Sequence, residues 1–327
     1  NEVKACPTAG GKNLIIPKRF CSPYNKTMKN IQKLLLITSI LSNFGFAQFT
    51  ETVPTDCWIY ESISVLQVAG YFRSLDQGCL PYTRSQIAKV LINDMELISK
   101  DLPSHQVEYN RLSNEFKKEI IAFSDENTLV SNDFIRFNSS IGNYYLSDKR
   151  NYLFFRMGGS VDLNRNFTIK YSAYLNQRFM DDPYFTGYEW RGFQGYQEQM
   201  YLSYSTDKIN LKFGRDYVKW GYGKSGRLFI SDNSRPFDMI SFKLKSRLIS
   251  LHAIIAQLDQ IYNAQRYLNA MRIEINPVKD LFIGLGQTSL YGGENRPLDF
   301  TMSNPLAFYS FTQDNDGKAM NMMLYTC

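Results

Sequence analysis

Between Asn151 and Tyr291, apolar and polar positions alternate with a period of two. Ile209, Leu211 and Phe213 alternate with Asn210 and Lys212, and Ile240, Phe242 and Leu244 with Ser241, Lys243 and Lys245. Met271, Ile273 and Ile275 alternate with Arg272 and Glu274, and Phe167, Ile169 and Tyr171 with Thr168, Lys170 and Ser172. This period predicts strands with one apolar face. Tight turns fall at Asn164-Arg165-Asn166, Thr206-Asp207-Lys208, Lys245-Ser246-Arg247 and Asn276 to Asp280. Between them come aromatic, glycine-rich excursions near Met180 to Tyr196, Lys219 to Phe237, and Asp259 to Gln265. Short turns on one side and long loops on the other are the pattern of an antiparallel transmembrane β-barrel. The alternation taken alone fits a soluble β-sandwich as well.

Upstream, the period changes to that of helices. Ile59, Ile63, Leu66 and Gly70 share one stripe, with Val65, Ala69 and Phe72 beside it. Thr83-Arg84-Ser85-Gln86 reads as a capping box that opens a second helix through Ile87, Leu91, Asp94 and Ile98. A third follows Pro103-Ser104, with Tyr109, Leu112, Phe116, Ile120 and Phe123 on one face. Three short helices before a barrel predict a periplasmic domain or a plug over residues 48–130, and a partial barrel over residues 131–327.

The first 47 residues have a different character. Met28 is followed by Lys29 and Lys33, an apolar run from Leu34 to Leu41, and a small-x-small Gly45-Phe46-Ala47. These features predict a secretory signal peptide over residues 28–47, cleaved after Ala47. The run is much shorter than the ~20 residues of a spanning helix. Residues 1–27 then read as an upstream, non-native extension. An export signal ahead of barrel hairpins points to the outer membrane of a Gram-negative cell, where lipid would surround the strands.

Charge follows from this division. The leader carries seven bases, Lys4, Lys12, Lys18, Arg19, Lys26, Lys29 and Lys33, against Glu2. That accounts for the whole net charge of +6, so the rest of the chain is near neutral and nucleic-acid binding has no electrostatic basis. Cys57 and Cys79 flank the first helix in what would be an oxidising compartment, so their spacing allows a disulfide; two buried free thiols are the alternative. No CxxC or Cys/His cluster predicts a metal site, and no cofactor is expected. Gly223-Lys224-Ser225 resembles the end of a phosphate-binding loop, but position 218 is Val where a glycine is needed. His252, beside Ser250, has no acidic residue evident to orient it as a catalytic base. The chain is therefore expected not to be an enzyme.

Three stretches resemble the Wzi family of capsule-assembly outer-membrane proteins. One runs from Val53-Pro54 through Trp58-Ile59-Tyr60 and Leu66-Gln67-Val68-Ala69-Gly70 to Pro81-Tyr82-Thr83-Arg84. The second, the most specific, is Gly214-Arg215-Asp216-Tyr217-Val218-Lys219-Trp220-Gly221-Tyr222-Gly223, followed by Gly226 to Ser231 and Arg235-Pro236-Phe237. The third joins Met271-Arg272-Ile273-Glu274 to Leu281 through Gly286, with Asn304-Pro305 downstream. The resemblance implies a barrel of about 18 strands with a small helical bundle at its periplasmic end, and a lectin-like role in holding capsular polysaccharide, alongside export machinery. About nine strands are countable before Cys327, so the chain is expected to be a fragment whose sheet stays open.

Sugar recognition needs aromatic faces beside charged and hydrogen-bonding groups. Trp190 and Arg191 in one excursion, and Arg215, Asp216, Lys219, Trp220, Tyr222, Lys224, Asn233 and Arg235 in the next, supply those types, with Tyr184 and Tyr188 nearby. Arg156, Lys170, Lys212, Lys243, Lys245 and Arg272 fall on the inward parity against Asp162 and Glu274. A basic lumen suits an acidic polysaccharide, and equally the alternative function of an anion-conducting porin.

Overall fold

The computed structural model describes residues 49–124, 135–145 and 150–326, apart from 164–165, 183–184, 186, 188, 224–225, 228, 232–233, 247, 262, 279–280, 282, 305–308 and 310–318. The extension and signal peptide expected from the sequence lie outside the described residues, as do Lys224, Asn233, Tyr184 and Tyr188.

The alternating segments form one antiparallel meander. Its strands are β2 (Ile135–Tyr145), β3 (Asn151–Asp162), β4 (Phe167–Asn176), β6 (Phe193–Ser205), β7 (Ile209–Asp216), β9 (Phe237–Lys245), β10 (Ile249–Ile261), β11 (Ala264–Ile275), β12 (Ile283–Glu294) and β13 (Ala319–Thr326). Each pairs with the next in chain order, so the path holds ten long strands rather than about nine. Three two-residue strands, β1 (Cys79–Leu80), β5 (Glu189–Trp190) and β8 (Lys219–Trp220), lie off the path, with β5 pairing β6 and β1 pairing β8. Among the described residues β2 and β13 have no partner on their outer sides, so the sheet is an open part of a barrel. The excursion expected around Asp259 to Gln265 is instead strand: β10 and β11 pair up to Ile261↔Ala264, and the chain reverses at 262–263 with Asn263 at φ +65°. Asn tolerates that left-handed conformation.

Side-chain burial decides between barrel and sandwich. The apolar parity is exposed, with Phe213 68% and Ile240 52% accessible, while the polar parity is covered, with Thr168 and Ser203 at 0% and Lys170 at 1%. A soluble sandwich buries its apolar face and exposes its polar one. Here the order is inverted, as in a barrel whose outer surface meets lipid.

Among the described residues four helices precede the sheet: α1 (Ile59–Val68), α2 (Arg84–Ile98), α3 (Pro103–Glu115) and α4 (Lys117–Ser124). Ile59, Ile63 and Leu66 of α1 and Ile87, Leu91 and Ile98 of α2 make one core with Leu112 and Phe116. The capping box at Thr83 and Gln86 is formed in full. The single third helix expected from the stripe is divided, because the chain leaves helical geometry at Phe116 (φ −99°, ψ 18°). The break seats Phe116 in the core beneath the Arg84 guanidinium, 4.5 Å from the ring centroid. It also lets Glu119 meet Arg84 Nε at 2.5 Å.

The helical unit sits at the short-turn end. Lys89 of α2 pairs with Asp207 in the β6–β7 turn at 2.9 Å, and Arg136 at the start of β2 pairs with Glu51 at 2.9 Å. Two extended segments lie against the inner wall. In the first, Glu51 accepts from Lys170 Nζ at 2.5 Å and from Ser160 Oγ at 2.8 Å. Thr52 donates to Asp216 at 3.0 Å, and its amide donates to Tyr201 Oη at 2.9 Å. Burial favours a neutral Glu51, but Lys170 and then Arg136 outweigh it and hold the carboxyl down at about 2. In the second segment, Cys79 and Leu80 pair with Trp220 and Lys219. Asp76 meets Arg272 at 3.0 Å and accepts from Tyr222 Oη at 3.0 Å. Burial raises the Asp76 carboxyl, yet its hydrogen bond with Glu274 and the Arg272 charge keep it below its ordinary value. Gly78 is required for this approach: a Cβ there would stand 2.8 Å from the Tyr222 ring.

Cys57 and Cys79 are free thiols, so the disulfide that their spacing allowed is not formed. Cys79 is committed to the pairing with Trp220, with Sγ 3.5 Å from His252 Nδ1, while Cys57 packs against the helical core.

Candidate functional site

The site residues expected from the sequence divide into two groups. Trp220 is fully buried, stacked on Phe229 with ring centroids 5.7 Å apart and 10° between the planes, inside a cluster with Val218, Ile230, Met239 and Ile254. Asp216, also buried, takes hydrogen bonds from Thr52, Gln199 and Lys212. Lys219 pairs through its backbone with Leu80, and Tyr222 is held by Asp76. The excursion after β7 thus folds inward and clasps the helical unit. Trp220 and Asp216 build this junction, and the buried Trp220 indole offers no open aromatic face to a sugar. The alternating pattern did not reveal this, because a β-bridge to a two-residue strand over a hundred positions away leaves no local signal.

The second group stays at the long-loop end. Trp190 is exposed at the β5–β6 turn, where Arg191 (φ +49°) lays its guanidinium 5.3 Å from the indole ring. Arg215 forks onto Asp238, with Nε at 2.7 Å. Arg235 lies 4.6 Å over the Phe185 ring and pairs with Asp182 at 3.3 Å and Asp259 at 3.6 Å.

Beside Arg235 is a cleft that the sequence reading passed over. It encloses about 610 Å³ and is lined by Tyr144, Arg150, Tyr152, Tyr174, Asn176, Arg178, Phe179, Asp181 and Asp182. Its walls come from the long-loop ends of β2, β3 and β4, and its rim from a 3₁₀ turn, Gln177–Asp181. Asn176 caps that turn, accepting from the Arg178 amide at 2.9 Å, so the cleft is fixed by local hydrogen bonding. Phe179 stacks on Phe185 at 4.8 Å and 7°, and meets Tyr174 edge-on at 5.4 Å. Arg150 pairs with Asp181 at 3.0 Å, Tyr152 donates to the same carboxylate, and Asn176 donates to Tyr174 Oη at 2.8 Å. Deeper in, Arg156 joins Glu198 at 2.7 Å and Asp56 at 2.8 Å. Tyr217 donates to Glu198 at 3.0 Å, and burial, reinforced by that carboxylate, pushes its phenol well above the usual range and keeps it a donor. Aromatic faces set among fixed donors and acceptors suit a ligand with apolar faces and polar edges. The run Gln177-Arg178-Phe179-Met180-Asp181-Asp182 directly after a strand was the available signal.

The family model for capsule assembly protein Wzi matches residues 135–323, beginning at the first residue of β2. The chain belongs to the Wzi capsule assembly protein family. Among solved structures it is similar to Wzi of Escherichia coli, described as an outer membrane protein involved in group 1 capsule assembly and as a carbohydrate-binding β-barrel. The TM-score is 0.51 at 15% identity, and the match covers 76% of this chain and 55% of that one. The likeness supports the fold: this Wzi-family chain spans a little over half the length of that barrel, in keeping with its open sheet. Among curated proteins, none matches.

Proposed function

We propose that this chain is part of an outer-membrane β-barrel that binds capsular polysaccharide at the cell surface and acts by holding the polymer, without catalysis. The aromatic cleft at the long-loop end is the sugar site. Phe179 and Tyr174 supply the faces, Arg178, Asn176 and Asp181 meet the sugar's hydroxyl and acidic groups, and Trp190 with Arg191 extends the contact. The short-turn end then faces the periplasm, carrying the helical unit with it. The cleft is the observation that carries this reading, and membership of a capsule-assembly family supports it. Conduction gains no support, since residues 49–56 and 76–80 and the excursion around Trp220 lie against the inner wall.

The test is equilibrium binding of the full chain in detergent to labelled capsular polysaccharide of its host. Phe179→Ala and Arg178→Ala should each weaken binding by roughly tenfold, about 1.4 kcal/mol. Saturable binding indifferent to both substitutions, or no binding by a folded protein, would overturn the assignment.

A further inference from the structure

The inner wall carries many cations, and nearly all are matched. Lys170 has Glu51, Lys212 has Asp216, Arg156 has Glu198, and Arg272 has Asp76 and Glu274. Lys243 and Lys245 are different. They stand two residues apart on the inward side of β9, and among the described residues neither meets a carboxylate at ion-pair distance. Lys208 joins them, because its carbonyl accepts the Lys245 amide at 2.7 Å and brings the β6–β7 turn alongside the end of β9. All three line a cavity of about 220 Å³ between the barrel wall and α2, at the short-turn end. The other charges on its lining cancel: Lys89 pairs with Asp207, and Lys212 with Asp216. Three ammonium groups remain without a carboxylate, beside the hydroxyls of Ser241 and Thr206; Lys243 Nζ lies 4.0 Å from Cys79 Sγ, and Lys208 and Lys245 are exposed.

We propose that this cavity is a binding site for a doubly charged oxyanion of the phosphate class, carried either by a soluble phosphate or by a lipid headgroup. Lys243 and Lys245 repel each other across one strand face, with Lys243 half-buried and Lys208 and Lys245 open to solvent, and a bound dianion relieves that repulsion. Lysine acts on phosphate as a point charge, whereas planar carboxylates are better matched by arginine forks. The arginines nearest this region are already forked onto carboxylates. The volume accepts a phosphate with one small substituent and excludes a polymer chain. The site is separate from the aromatic cleft, so either can fail without the other.

The full chain in detergent would be titrated calorimetrically with inorganic phosphate and, separately, with a short-chain phosphatidic acid. Saturable binding of either probe is expected, weakened roughly tenfold by Lys243→Gln or Lys245→Gln and unchanged by Lys100→Gln, beyond the far end of α2. Phosphate binding identifies a soluble source, and binding confined to the lipid identifies a headgroup. Should Lys243→Gln fail to fold, Lys208→Gln on the exposed turn gives the same readout. Binding of neither probe, or equal binding by wild type and every lysine variant, overturns the proposal.

Discussion

Glu51 ties the helical unit to the barrel wall, and its removal is the sharpest test of that architecture. The carboxylate is covered, and Lys170, its 2.5 Å partner, is 1% accessible. Glu51→Gln keeps the shape but leaves the buried Lys170 without its counter-charge, while Arg136 keeps Asp162 and Glu119; a buried pair broken on one side costs about 3–5 kcal/mol. A second route reaches a similar size. Lowering a glutamate from 4.5 to about 2 corresponds to roughly 3 kcal/mol, at about 1.4 kcal/mol per pH unit. Because the folded-state value is the depressed one, this stabilisation is complete above pH 4.5 and drains away as pH falls towards 2. Urea unfolding followed by tryptophan fluorescence, run from pH 7 down to pH 3, reads both effects. The wild type should lose stability below pH 4.5, and Glu51→Gln should begin lower and lose less across that window. Replacing Glu51 and Lys170 together by methionine should recover much of the loss. A Glu51→Gln variant as stable as wild type at pH 7, or one with the same acid response, would refute the claim that this ion pair fastens the two parts.

Two further outcomes follow from the same junction. Trp220→Ala should cost about 3–5 kcal/mol by emptying the space against Phe229 and Ile254, seen as a lower urea midpoint, while polysaccharide affinity of the folded fraction stays unchanged. Thr83→Ala should cost about 1 kcal/mol by removing the acceptor for the Gln86 amide at the start of α2, measured by the same unfolding curves.

What was legible in the sequence was local. The capping box at Thr83 and the stripe through Ile59, Ile63 and Leu66 needed only neighbours within two turns, and both elements stand where expected. Strand alternation survived because the sheet pairs each segment with the next, so one period fixes which face is covered. The errors arose where distant segments set the conformation. Phe116 ends a helix because Arg84, far up the chain, lies across its ring. Trp220 and Asp216 looked like loop chemistry, but residues 52 and 79 draw them inside. The cleft went unread for a related reason: Tyr152 and Tyr174 sit in different strands, and only the register brings them to one side of the 3₁₀ turn.

The inverted parity explains why the helical unit is held largely by polar contacts. Apart from an apolar patch at Met239, Ile254 and Ala256 beneath Trp220, a sheet that turns most of its apolar side outward offers mainly polar and charged groups to anything docking within. Each such group must then find a partner when water is displaced, or its burial is costly. Residues 49–56 and 76–80 meet that demand in extended form, since extended chain exposes side chains on both edges and backbone groups for pairing. Thr50 meets Ser203 at 2.7 Å, Thr52 meets Asp216, and Arg272 reaches the Gly78 carbonyl. An interface made this way is specific in register, because shifting either segment by one residue would strand several buried polar groups at once.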